Sequence, residues 1–188
     1  MNEIHAHLTA CAAEASRVTR GITPEQLAGP TGCTDWTVRE LVNHIVLYTA
    51  HGLEHRALRT ELPTETVQRD FTADADWAGR YAAQLDRALA AWAGPEAWEG
   101  DVDLGGSALP APEIAGMLVA ELALHGWDLA RATGQDFTVP DGTGGYLLDV
   151  VERYADVYRE YEGFAAPVVV PAGAAAFTRA LAASGRTP

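Results

Sequence analysis

The chain has 188 residues, 48% of them hydrophobic and 21% charged, enough to bury one sizeable core in a single domain. Its formal charge of −13, from 13 basic against 26 acidic side chains, repels phosphate backbones and argues against nucleic acid as a partner. No apolar run reaches the roughly 18 residues of a membrane span, the N-terminal Met-Asn-Glu-Ile-His shows no secretion region, and Cys11 and Cys33 suggest no disulfide framework, so a reducing cytoplasm is the expected setting.

Residues 3–20 carry Ile4, Leu8, Cys11, Ala12, Ala15 and Val18 at helical spacing, and Gly21 ends the run. Pro24-Glu-Gln-Leu27 reads as one short turn capped by Thr23, and Gly29-Pro30-Thr-Gly32-Cys33 as a loop. The second long helix opens with Thr37-Val-Arg-Glu40, a capping-box pattern. Leu41, His44, Ile45 and Tyr48 mark its inward stripe, with His51 and His55 near the same face. It is expected to continue to about Arg59, on the order of 30 Å at roughly 1.5 Å per residue.

Glu61 to Thr72 is a long polar connection that either wraps the bundle or moves. The third helix runs from Asp74 or Asp76 to Ala93 on an apolar face of Trp77, Tyr81, Leu85, Leu89 and Trp92, and Gly94-Pro95 stops it. Residues 96–110, with Trp98, Val102, Leu104, Gly105-Gly106 and Leu109, read as a short extended crossing. Pro112 to Gly134 is the fourth helix, with Ile114, Met117, Leu118, Leu122 and Leu129 on one side. A fifth helix is expected over Asp141–Tyr161, an extended segment over Pro167–Pro171, and a last helix over Ala174–Ala183.

The expected fold is all-α: an antiparallel four-helix bundle over about residues 3–134, then an addition over 135–188 with further helices and a short extended segment. All of it is read as one domain, 1–188.

The chemistry concentrates in Glu121-Leu-Ala-Leu-His125-Gly-Trp127-Asp128. An i,i+4 pair has its Cβ atoms roughly 5–6 Å apart. Glu121 and His125 therefore either chelate one cation or bond each other. His44, from the second helix, would complete a His/Glu/His set. Such donors suit Zn²⁺, with Ni²⁺ or Fe²⁺ as alternatives, and three of them leave a position open, the pattern of a catalytic zinc. A hydrogen-bonded core pair is the alternative on the same spacing. An inward carboxylate left unpaired costs several kcal/mol, and no lysine lies near either stripe; Arg39 or Arg131 would have to answer Glu121.

Asp128 either orients a ligand or binds an amine of substrate or cofactor, or else is a surface carboxylate. His51 lines a pocket mouth or donates a proton, or else is an ordinary half-exposed histidine. Trp127 reads as packing, His5, His7 and His55 as surface groups, and Cys33 as a small buried residue with no base placed beside it. Ser107 and Ser184 lie in no GxSxG setting.

Two blocks carry a family resemblance. Thr31-Gly-Cys33-Thr-Asp-Trp36-Thr-Val38-Arg-Glu-Leu41-Val-Asn-His44 resembles the Cys-x-x-Trp-x-Val-x-x-Leu-x-x-His block of the DinB-like superfamily. More narrowly, it resembles the metal-binding proteins related to the N-terminal domain of mycothiol-dependent maleylpyruvate isomerase. Glu121-x-x-x-His125-Gly-Trp127-Asp128-Leu-Ala-Arg131-Ala-Thr-Gly134 resembles the second metal block, and Phe164 through Arg186 the end of stand-alone members.

The resemblance implies a DinB-type bundle holding a divalent metal, usually zinc, on His44, Glu121 and His125. It also implies a low-molecular-weight thiol, here mycothiol, as cosubstrate, with Asp128 in reach of it. The isomerase carries a separate C-terminal domain with a catalytic arginine; here about fifty residues follow the fourth helix.

The expected activity is therefore metal-dependent S-transfer to, or thiol-assisted isomerisation of, a small electrophile, by a monomer or homodimer. A thiol-independent metal hydrolase, isomerase or cyclase, and a non-catalytic metal-stabilised binding protein, are the alternatives.

Overall fold

The computed structural model describes residues 2–33, 36–103 and 106–188. Thr34-Asp35 of the first block and Leu104-Gly105 of the expected crossing lie outside the described residues. The chain divides into two compact units, Met1–Phe137 and Thr138–Pro188.

The first unit is the bundle. Helix α1 (Glu3–Arg20) is capped by Asn2, whose side chain accepts from Ile4 N–H. It packs against α5 (Trp77–Ala91) and α6 (Ala111–Thr133). The second long helix is three pieces: α2 (Val38–Ile45), a π segment (Val46–His51) and α3 (Gly52–Leu58). α2 packs on α6, while the π segment and α3 pack on α5, which closes the four-sided arrangement.

Helix α2 starts where the capping box predicts. Glu40 Oε2 accepts from Thr37 N–H and Oγ1–H, each at 2.7 Å, and Thr37 Oγ1 accepts from Glu40 N–H. Replacing Thr37 with alanine should lower stability by about 1 kcal/mol, the usual worth of an N-cap. Urea unfolding checks this, and an unchanged midpoint would show that α2 does not need the cap.

The regular 3.6-residue helix expected from Thr37 to Arg59 is corrected at its centre. Thr49 Oγ1–H donates to Ile45 O at 2.6 Å, taking up the carbonyl that the fourth residue onward normally uses. Gly52 N–H then bonds Leu47 O, five residues back. Such π turns appear mostly as single interruptions in α-helices. The helical run ends at Arg59 in the left-handed region, φ 55°.

The polar connection wraps the bundle. It forms a short helix α4 (Thr64–Val67) and a 3-10 turn at Phe71–Ala73. Asn43 pins it, its Oδ1 accepting from Phe71 N–H at 2.8 Å and its Nδ2–H donating to Asp70 Oδ1 at 3.0 Å. Where a single extended crossing was expected, a 3-10 turn at Pro95–Trp98 leads into an antiparallel hairpin, β1 (Asp101–Asp103) with β2 (Ala108–Pro110), in which Val102 faces Leu109.

Helix α6 is the central one, with Ile114, Leu118, Leu122 and Leu129 buried as predicted and Ala115, Val119 and Ala123 buried on its other sides. Gly134 ends it at φ 71°, the left-handed position that glycine takes without strain. No described helix is long and apolar enough to cross a membrane.

In the second unit, α7 (Asp141–Glu160) packs on α8 (Ala176–Ala183), with Gly144 close against Phe177 and with Leu147, Leu148, Val151 and Leu181 buried. The Pro167–Pro171 segment makes no sheet; Val168 N–H donates to Ala182 O at 2.9 Å.

Candidate metal centre

Two helices bring the donors together. α2 carries His44 two turns past its cap, and α6 carries Glu121 and His125 one turn apart. His44 Nε2 lies 3.2 Å and His125 Nε2 3.4 Å from the same oxygen, Glu121 Oε2. All three donor atoms fall within 4.8 Å of one another. In a tetrahedron with metal–donor bonds of about 2.05 Å, neighbouring donors stand about 3.3 Å apart. The spacing therefore fits one divalent cation of zinc's size. The side chains of His44, Glu121 and His125 keep 22%, 27% and 16% of their exposure, so the donors are covered but reachable.

The other face of His125 is closed. Its Nδ1 lies 3.0 Å from Asp128 Oδ2, and Asp128 is only 3% exposed. With that proton donated to Asp128, a neutral ring turns its Nε2 lone pair toward Glu121 Oε2. A lone pair against a carboxylate oxygen is repulsive, so either a second proton or a cation belongs between them. Burial pushes the His125 pKa down, but the hydrogen bonds of its ring to Asp128 and Cys33 and the charges of Glu121 and Asp128 outweigh it, and the value rises to about 10.

Cys33 is corrected from a small buried residue to a half-exposed member of this cluster. Its thiol donates to Asp128 Oδ2 at 3.4 Å and lies 3.9 Å from His125 Nδ1. Cys11, by contrast, is fully buried, and burial pushes its thiol up to about 12.

Two aromatic rings border His44, Trp36 at 4.8 Å and Tyr48 at 4.9 Å between centroids. Within α6, Gly126 beside His125 lets the Phe137 ring come close, since a Cβ there would stand 2.4 Å from it. The two arginines considered for Glu121 go elsewhere: Arg39 bonds Asp70 and Thr72, and Arg131 lies over the Trp127 ring.

The structure thus groups His44, Glu121, His125 and Asp128, and leaves His51 out of the group. Beyond the π turn, His51 stacks on Phe71 at 5.4 Å and lines a different cavity. His5, expected on the surface, is half-buried with Nε2 2.9 Å from Leu89 O. Cys33, Trp36 and Tyr48 carried no expected role. Tyr48 was visible four residues after His44, whereas nothing local to Cys33 announces a partner 95 residues away.

Bundle and donor set together define a helical protein with a candidate divalent-metal centre between two facing helices. The chain belongs to the mycothiol maleylpyruvate isomerase N-terminal domain family, whose profile matches residues 8–130. Two uncharacterized proteins of Mycobacterium tuberculosis, Rv0738 and MT0763, are each 30% identical to it over 117 residues, 61% of this chain. The chain spans 58% of the length of these relatives. The crystal structure of the mycothiol-dependent maleylpyruvate isomerase superposes with a TM-score of 0.61 at 20% identity, covering 83% of this chain and 72% of that one. A mutant of that enzyme gives 0.60 at 16% identity over the same shares. At these identities the likeness is one of fold.

Proposed function

We propose that this protein is a divalent-metal enzyme that uses a low-molecular-weight thiol, mycothiol by family, on a small electrophilic molecule. The reaction would be S-transfer or thiol-assisted isomerisation. The observation that carries this reading is the convergence of His44 Nε2 and His125 Nε2 on one carboxylate oxygen. A cation held there supplies one thing, a positive charge that keeps a thiol ionised at neutral pH.

The chain's own residues do the rest. His44, Glu121 and His125 would be the ligands. Asp128 fixes the tautomer and ring angle of His125, as outer-shell carboxylates do for metal-binding histidines. Its burial leaves no surface for an amine of the thiol, so we assign it positioning rather than cofactor binding. Trp36 and Tyr48 present ring faces beside His44 that exclude water from an incoming group. The ionised thiol adds to an electrophilic carbon. If the carbanion so formed takes a proton from solvent and the adduct leaves, the reaction is S-conjugation; if the former double bond rotates and the carbanion expels the thiolate, it is cis–trans isomerisation.

Calorimetric titration of the zinc-loaded protein with mycothiol is the test. Saturable heat that vanishes after chelation is the expected result. A flat titration of the loaded protein would remove the thiol from the reading and leave thiol-independent metal chemistry. A second reading rests on the His44–Glu121 contact, which at 3.2 Å is also a hydrogen bond tying α2 to α6. Under it, purified protein holds no stoichiometric metal.

The pH dependence follows from the raised His125 pKa. In the metal-free protein the folded value, about 10, lies above the unfolded value of roughly 6.5. The protonated ring therefore contributes stability that is full below the unfolded value and is lost as pH rises toward 10. Metal must displace this proton. Apparent zinc affinity should rise about tenfold per pH unit between neutrality and pH 9, measured with a competing chelator. A flat profile would mean that His125 is already neutral at pH 7.

A further inference from the structure

A cavity of about 230 Å³ opens between the π segment, α5 and the Phe71 turn. None of its walls is a metal donor. Three arginines, Arg69, Arg80 and Arg87, line it together with His51, in a chain of net charge −13. Its apolar walls are aromatic: Phe71, Trp77 and Tyr81.

The charges do not cancel. Asp74 answers Arg80 at 2.8 Å and reaches Arg69 at 4.0 Å. Glu54 is engaged by Gln84, whose Nε2–H donates to it. Arg87 donates to Gln84 Oε1 and, among the described residues, has no carboxylate at ion-pair distance. Gln84 is 2% exposed and thus holds Arg87 from a fixed base. Arg69 lies over the Phe71 ring at 5.5 Å, and His51 stacks on the same ring. Burial, then the charge of Arg87, lowers the His51 pKa, so its imidazole is neutral at pH 7.

We propose that this cavity is a second binding site, separate from the metal centre, that takes a small aromatic carboxylate with its carboxylate on Arg87 and its ring among Phe71, Trp77 and Tyr81. A planar guanidinium pairs with a carboxylate through two parallel N–H bonds. An engineered apolar cavity of about 150 Å³ holds benzene, so the volume here takes one ring and its acid group. Edge and face contacts with three aromatic side chains favour a flat ring over an alkyl chain. A neutral His51 is left to hydrogen-bond the second carboxylate oxygen.

The probe is benzoate, titrated into the purified full-length protein and followed by calorimetry and by the ring-proton shifts of His51. Saturable binding with a Kd below about 1 mM is expected. The titration midpoint of His51 should move up in the complex, since a bound anion favours the imidazolium. Benzamide, of the same shape without charge, should bind at least about tenfold more weakly, and acetate, charged without a ring, likewise. Arg87→Gln should weaken benzoate by about tenfold or more, with Arg69→Gln as the second variant should the first fail to fold. Glu121→Gln, which alters only the metal donors, should leave benzoate affinity within about twofold. No saturation by about 10 mM, equal affinity for benzamide, indifference to Arg87→Gln, or loss of benzoate in Glu121→Gln would each overturn the site. The last outcome would place the ligand at the metal centre instead.

Discussion

His125→Ala is expected to bring bound zinc from about one per chain to below about a tenth, and to remove thiol-dependent turnover with it. The other two donors stand on different helices and share a single oxygen contact at 3.2 Å, too little to hold a cation against water. The change has a second effect. Asp128 is 3% exposed and loses its imidazole partner while keeping the Cys33 thiol, and a hydrogen bond to a charged group is worth about 1.5–3 kcal/mol. The alanine protein will therefore also melt earlier. Glu121→Gln separates the two effects, because that side chain is 27% exposed and glutamine keeps its shape. It should lose the metal and keep the fold. Full zinc content in Glu121→Gln, by elemental analysis after gel filtration, would dismiss the centre.

The largest structural effect is expected at Trp92→Ala, a loss of about 3–5 kcal/mol and of order 10 °C in Tm. Trp92 is fully buried. Its indole N–H donates to Leu53 O at 2.8 Å, and its ring meets Trp98 at 4.8 Å. Trp98 N–H in turn donates to Trp92 O at 2.8 Å. One residue thus ties α3, the end of α5 and the turn before the hairpin. Trp92→Phe, which keeps most of the volume, should lose clearly less. Guanidinium unfolding reads both, and a loss under about 1 kcal/mol for the alanine would mean the space refills.

The bundle was legible from sequence because its signals are local and repeated. Ile114, Leu118, Leu122 and Leu129 mark α6 by period alone, and Thr37 and Glu40 mark the start of α2 at its cap and third residue. Glu121 and His125 were readable for the same reason, since one helical turn fixes their separation. Convergence of His44 on them is a tertiary fact, anticipated through the resemblance and then through the geometry of facing helices. What escaped was set by single hydrogen bonds. The hydroxyl of Thr49 diverts one carbonyl, and the assumed common face of His44 and His51 is broken. Cys33 was read as inert because its partners, His125 and Asp128, come from the far half of the chain.

A π turn is geometrically a regular helix with one residue to spare. Deleting Ala50 would let the segment after Ile45 recoil into even pitch with the later side chains facing as they do now, whereas forcing the full-length segment into even pitch would swing each of them by about 100°. In that second case Leu53, now fully enclosed, would leave its place, and the carbonyl beneath the Trp92 indole would turn away. The wider turn is thus what keeps the two ends of one rod in phase despite the surplus residue, and a chain one residue shorter here should carry an even helix with the same faces.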